Sequence, residues 1–296
     1  MDTLRSAYLE GGIKGVNEHI DDSSAVSRSA NSFWELIQRM SGLPEFAKEL
    51  QRTEEHIATD GIGAAFRELA EKLGIEIKCD RVPEWLKTTG QPVLAYGNHS
   101  ARVEPLLFGA FVERDDMSAI GGGVTKNLGP NFGRHVLPVI PKKYARDSDK
   151  SLTLGERVIY GEGSLSKEEV EELNRASLEE AGKRLGQGQL IGIFPTATDA
   201  ITSEWRPGLG RVIKNLPPGT DPGNILLAPI HFGSLRGVDF LSNIRRVFGK
   251  GKPPKLQPVE VVFGEELHLG DLSPNDLSAE ELTNILKEDY LRKFGK

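Results

Sequence analysis

The chain has 296 residues, 37 Lys and Arg against 43 Asp and Glu, and a formal net charge of -6. That balance excludes a nucleic-acid binder working through a basic face, so any anionic ligand must be met by a local cluster of cations. A single cysteine, Cys79, excludes an intrachain disulfide and a cysteine-based metal knot.

The N-terminal Met1-Asp2-Thr3-Leu4-Arg5-Ser6-Ala7-Tyr8 lacks the basic-then-apolar order of a signal peptide. No stretch approaches the roughly 20 apolar residues of a bilayer span. The expectation is a protein of the cytoplasm or plastid stroma, soluble or touching a membrane peripherally.

Residues 1–75 read as a helical N-terminal region. Ser32 to Arg52 carries Phe33, Trp34, Leu36, Ile37, Met40 and Leu43 as a helical stripe. Asp60 to Leu73 repeats the pattern and stops at Gly74. From residue 76 to 296 the pattern alternates. Strands are expected at 92–96, 118–120, 136–140, 190–194, 225–230 and 258–263. Helices are expected at 105–114, opened by a proline; at 166–185, opened by the capping-box pair Ser166 and Glu169; and at 278–294. Strands interleaved with helices predict an α/β domain over 76–296, with a mixed, mostly parallel sheet flanked by helices.

Three constellations carry chemistry. His99 follows a strand, in Asn98-His99-Ser100-Ala101-Arg102-Val103-Glu104, and a folded-back loop brings the Glu104 carboxylate to one imidazole nitrogen. That contact orients a general base and stabilises the imidazolium it forms. A histidine after a strand is, by itself, more often a satisfied turn residue. The second constellation is Gly192-Ile193-Phe194-Pro195-Thr196-Ala197-Thr198-Asp199, where a buried strand runs into small and hydroxyl residues, a usual ligand position in open α/β sheets. The third is Pro141-Lys142-Lys143-Tyr144-Ala145-Arg146, whose cations can clamp a phosphate or form a solvated basic turn. A serine hydrolase is disfavoured, since no Gly-x-Ser-x-Gly elbow occurs.

The order of these parts resembles the sequence blocks of the glycerolphosphate and lysophosphatidate acyltransferase family: Asn-His-x4-acid, then a strand ending in Pro-Lys-Lys, a long helix, a strand ending in Phe-Pro-Thr-Ala-Thr, Trp205-Arg206-Pro207-Gly208, and Leu227-Ala228-Pro229-Ile230. The resemblance covers roughly 90–265. The layout is most similar to the soluble plastid-type glycerol-3-phosphate acyltransferases, which also carry a helical N-terminal domain.

The resemblance implies direct transfer of a fatty acyl group from acyl-CoA or acyl-carrier protein to glycerol-3-phosphate or a lysophospholipid, with neither metal nor other cofactor. His99 would be the general base and Glu104 its partner. Lys142, Lys143, Arg146, Thr196, Thr198 and Arg206 would bind substrate. The implied partners are the thioester donor, including an acyl-carrier protein, and a membrane surface, with no nucleic acid. Several positions depart from the family pattern. Glu104 replaces an aspartate, Thr196 a glutamate, Ala197 a glycine, Asp199 the phosphate-contacting arginine, and Tyr144 a histidine. Two alternatives stay open: an acyltransferase whose acceptor lacks a phosphate, and a non-catalytic acyl-binding relative with a degenerate phosphate site.

Overall fold

A computed structural model describes residues 43–99, 104–122, 130–142, 145, 147, 165–196, 204–233 and 258–295. Its elements run α1 (Leu43–Lys72), β1 (Ile77–Lys78), β2 (Val93–Gly97), α2 (Glu104–Gly109), β3 (Met117–Gly122), α3 (Pro130–Arg134), β4 (Val136–Val139), α4 (Lys167–Gly186), β5 (Leu190–Ile193), α5 (Gly208–Lys214), β6 (Leu226–Gly233), β7 (Val259–Phe263), β8 (Leu267–His268) and α6 (Ala279–Phe294).

The strands form one 8-stranded sheet in the order β1-β7-β6-β2-β5-β3-β4, with β8 on β6. β2 pairs parallel with β5 on one side and with β6 on the other. β3 is parallel to both β5 and β4, and β1 to β7, while β7 and β8 run antiparallel to β6. The sheet is therefore mixed and mostly parallel. β2, flanked on both sides and covered on both faces, is buried at every position of Val93-Leu94-Ala95-Tyr96-Gly97, which is why it reads as a continuous apolar run.

Side chains alternate along a strand, so each face of the sheet builds its own core. Val93 and Ala95 join a cluster with Ile57, Phe66, Leu69, Leu107, Phe108 and Phe232, drawn from α1, α2 and β6. Leu94 and Tyr96 join the opposite cluster, with Leu178 and Leu185 of α4, Leu209 and Val212 of α5, and Leu282, Leu286 and Tyr290 of α6. Among the described residues no helix is long and apolar enough to cross a membrane.

The helix boundaries follow local chemistry. α1 breaks at Gly61 (φ 82°, ψ 168°), next to the Asp60 start expected for a second helix; residues 32–42 of the first expected helix lie outside the described residues. α1 closes on Gly74, whose φ of 68° is left-handed, with Ile75 N donating to Ala70 O at 2.9 Å and Gly74 N to Glu71 O at 2.9 Å, the bonds of a Schellman cap. The expected capping box of Ser166 with Glu169 is present on α4, and α6 carries a second, Ser278 with Glu281.

Two boundaries differ from expectation. The helix after Pro105 ends at Gly109, short of Arg114. Buried Arg114 instead donates to Asp116 and to the carbonyls of Gln91 and Gly188 at 2.8 and 2.7 Å, stapling the segments that enter β3, β2 and β5. α5 is a helix with no sequence signal. Its Gly208-Leu209-Gly210 start has poor propensity, but Gly210 lets the backbone approach α6, where a Cβ would lie 1.9 Å from Ala279 O. Its N–H donates to Thr283 Oγ1 at 3.0 Å.

Candidate active site

β2, β5 and β6 all point the same way, and their C-terminal ends bring together Asn98-His99, Thr196 and Phe232. Such a crevice beyond the carboxyl ends of parallel strands is where open α/β sheets bind ligands.

His99 Nδ1 lies 2.9 Å from Glu104 Oε2. Glu104 is the first residue of α2 and is completely buried, while 20% of the His99 side chain remains exposed. A carboxylate can only accept, so it holds the ring proton on Nδ1 and leaves Nε2 with its lone pair outward. Among the described residues Nε2 has no hydrogen-bond partner. Burial of the Glu104 charge is tolerable because it is engaged. The His99 backbone N–H donates to Thr196 Oγ1 at 3.2 Å. Its ring leans on Phe194, with centroids 5.4 Å apart, and Phe194 packs in turn on Phe108 and Phe232. The exposed nitrogen thus opens beside an aromatic wall.

The alternation of β2 sends Asn98 to the opposite face. Its amide continues the ladder with β6: Nδ2 donates to Phe232 O at 3.0 Å and Oδ1 accepts from Phe232 N at 2.9 Å. Those peptide partners assign the amide's orientation. Tyr290 of α6 approaches from behind, its hydroxyl 3.1 Å from Asn98 Oδ1, 3.1 Å from Ile230 O and 3.1 Å from His231 Nδ1. Burial pushes the Tyr290 phenol up, and the negative charge of Glu104 adds to this, so it stays protonated. Burial also holds the His231 imidazole below its ordinary value. Gly97 lets β2 and β6 close tightly just before this point, since a Cβ there would fall 2.5 Å from Ile230 O.

The other expected residues are placed unevenly. Thr196 is buried against His99 N. Arg206 is exposed, and its backbone N–H reaches Pro195 O at 3.4 Å, which keeps it beside the same strand end. Lys142 follows edge strand β4, beyond β5 and β3 from β2, roughly 14 Å across the sheet at the usual interstrand spacing. It pairs there with Glu171 of α4. Lys143, Arg146 and Thr198 lie outside the described residues. Among the described residues no group of His, Cys, Asp and Glu could hold a metal ion.

Sequence reasoning assigned no role to Asn98, Tyr290 or His231. A signal was present for Tyr290. Leu282, Leu286 and Tyr290 are spaced by four on one helix face, and a phenol among core leucines needs a partner for its hydroxyl.

No family model and no curated sequence matches the chain. Among solved structures it is similar to the 1-acyl-sn-glycerophosphate (LPA) acyltransferase PlsC from Thermotoga maritima, at 15% identity and a TM-score of 0.42, over 82% of this chain and 77% of that one.

Proposed function

We propose that the chain is an acyltransferase that moves a fatty acyl group from a thioester, acyl-CoA or acyl-carrier protein, to a hydroxyl of glycerol-3-phosphate or a lysophospholipid. The observation that carries this reading is the dyad at the end of β2: a buried carboxylate 2.9 Å from one nitrogen of a partly exposed histidine whose other nitrogen has no partner among the described residues. The ordered sequence blocks around it support the choice of chemistry.

In this reading His99 Nε2 takes the proton of the acceptor hydroxyl while Glu104 stabilises the imidazolium. The alkoxide oxygen bonds to the thioester carbonyl carbon, and the carbonyl electrons move onto oxygen. Collapse of that intermediate breaks the C–S bond, and the imidazolium returns its proton to the departing thiolate. The products are an ester and a free thiol, with no acyl-enzyme. Thr196, whose hydroxyl oxygen accepts from His99 N, keeps its own proton to donate toward the oxyanion. Arg206, held beside the same strand end, would meet the acceptor's phosphate, a contact for which the sequence blocks also propose Lys143 and Arg146, with Thr198 as a further substrate contact.

A second reading, an acceptor without a phosphate, is favoured by one observation. Lys142, expected in the phosphate clamp, is spent on Glu171 at the sheet edge. One assay separates the two. The purified protein is given acyl-CoA or acyl-carrier protein with glycerol-3-phosphate, lysophosphatidate, monoacylglycerol or a simple alcohol, and both thiol release and ester product are followed. Transfer to the phosphorylated acceptors alone supports the first reading, and transfer only to neutral ones supports the second. His99→Ala is expected to lower the rate by about a thousandfold. Transfer that survives His99→Ala unchanged would sink the mechanism.

A further inference from the structure

The structure assigns Tyr290 a positioning role: from the back of the sheet, through Asn98, it holds the end of β2 that presents His99. The inference rests on the reading of His99 as the base.

The Tyr290 hydroxyl has one proton and sits 3.1 Å from two oxygens that can only accept, Asn98 Oδ1 and Ile230 O. Its proton must serve these oxygens. Its own oxygen can then only accept from the third neighbour, His231 Nδ1, also at 3.1 Å. This assigns His231 the Nδ1–H tautomer, and the chain of donation runs from His231 to Tyr290 and on to the pair Asn98 Oδ1 and Ile230 O. Asn98 Oδ1 is also the acceptor for Phe232 N, so Tyr290 completes an amide already locked to both polar groups of the Phe232 peptide.

The next residue along the backbone is His99. Its ring faces the opposite side of the sheet, toward Glu104 and Phe194, while its N–H is tied to Thr196 on the neighbouring strand end. The histidine is thus fixed from both sides, and the rear fixture comes from a helix 192 residues further along the chain. The ring of Tyr290 is set by packing on Trp205 and Phe294, with centroids 5.3 and 4.8 Å away. Loss of the hydroxyl alone should leave that packing in place.

The test is Tyr290→Phe in the full chain, read two ways. The first readout is independent of activity. With 15N-labelled histidine, long-range 1H–15N spectra of the wild type should show His231 protonated on Nδ1. In Tyr290→Phe the His99 ring signals should move or broaden. Wild-type His231 protonated only on Nε2, or His99 signals in the variant that overlay the wild type, would overturn the proposal. The second readout is kinetic. A small loss of alignment at a reacting group lowers kcat steeply, so kcat should fall about tenfold while the KM for the thioester stays within about twofold. Asn98→Ala supplies a double-mutant cycle. If Tyr290 acts through Asn98, adding Tyr290→Phe to Asn98→Ala should cost less than about threefold more, whereas a full multiplication of the two effects refutes the route. Should the wild type transfer no acyl group, the proposed function falls, but the spectra still decide the positioning claim.

Discussion

The ends of β2 and β4 point in the same direction within one sheet, yet they treat their polar residues in opposite ways. At the end of central β2, Asn98 is bound on the back and His99 on the front, and every polar partner comes from a different segment: Thr196 after β5, Phe232 on β6, Glu104 on α2 and Tyr290 on α6. At the end of edge strand β4, Lys142 meets one helix residue, Glu171, and 63% and 56% of their side chains stay exposed. A strand flanked by neighbours and covered by helices ends inside a three-dimensional ring of donors and acceptors. At the edge strand the backbone is tied as well, with Asn174 of α4 bonding both the N–H and the C=O of Ile140 at 2.8 Å, but the cation that follows projects into solvent. The first environment fixes the orientation of its side chains, whereas the second leaves a long side chain with its rotamer freedom.

That contrast can be broken or sharpened by substitution. The largest effect is expected at Glu104. Glu104→Gln removes the charge that stabilises the imidazolium while keeping the shape, so kcat should fall by about a hundredfold in a thiol-release assay. An unchanged kcat would mean that the dyad is structural. Gly97→Ala comes next. Its methyl would stand 2.5 Å from Ile230 O, backbone that cannot swing away. The overpacking should cost about 1–3 kcal/mol in urea unfolding, and it should lower activity alongside. An alanine tolerated without loss would show that the β2–β6 seam is looser than its hydrogen bonds imply.

The third prediction concerns pH. Buried His135 has both ring nitrogens engaged, Nδ1 with Met117 O at 2.8 Å and Nε2 with the Arg134 guanidinium at 3.1 Å. Burial, with that cation beside it, holds its imidazole below the ordinary value of 6.5. The unfolded chain therefore binds protons first as pH falls, and stability that is complete above about 6.5 should erode below it. His231 is displaced in the same direction by burial. Thermal unfolding from pH 7.5 to 5.5 should show a falling Tm, and the fall should be shallower in His135→Gln. A flat profile would contradict this account. The smallest effect belongs to the edge. Lys142→Ala should change stability by less than about 0.5 kcal/mol, as expected of an exposed pair. If it also raises the acceptor KM severalfold, the β4 end belongs to the site and the contrast drawn above fails.

Much of the architecture was legible because it is local. The apolar run of β2, the capping box at Ser166 and the stop at Gly74 are written in neighbouring residues, and each lies within a residue or two of its predicted place. α5 was not legible. Two glycines in Gly208-Leu209-Gly210 argue against a helix, and the close approach to α6 explains only the second, Gly210. The site divides along the same line. His99 and Glu104 are five residues apart, so a short loop suffices to join them. Tyr290 reaches Asn98 across 192 residues, and no spacing rule covers that distance.

By itself, then, the sequence determined the α/β class and the candidates for base and orienter, because these depend on periodicity and on contacts within a few residues. Only the tertiary structure decided which strand is central, that Lys142 stands at the edge with Glu171, and that α6 returns to brace the histidine from behind. Strand order and helix docking arise from long-range burial of apolar faces, which any one segment can satisfy against several partners, and only the whole fold selects one.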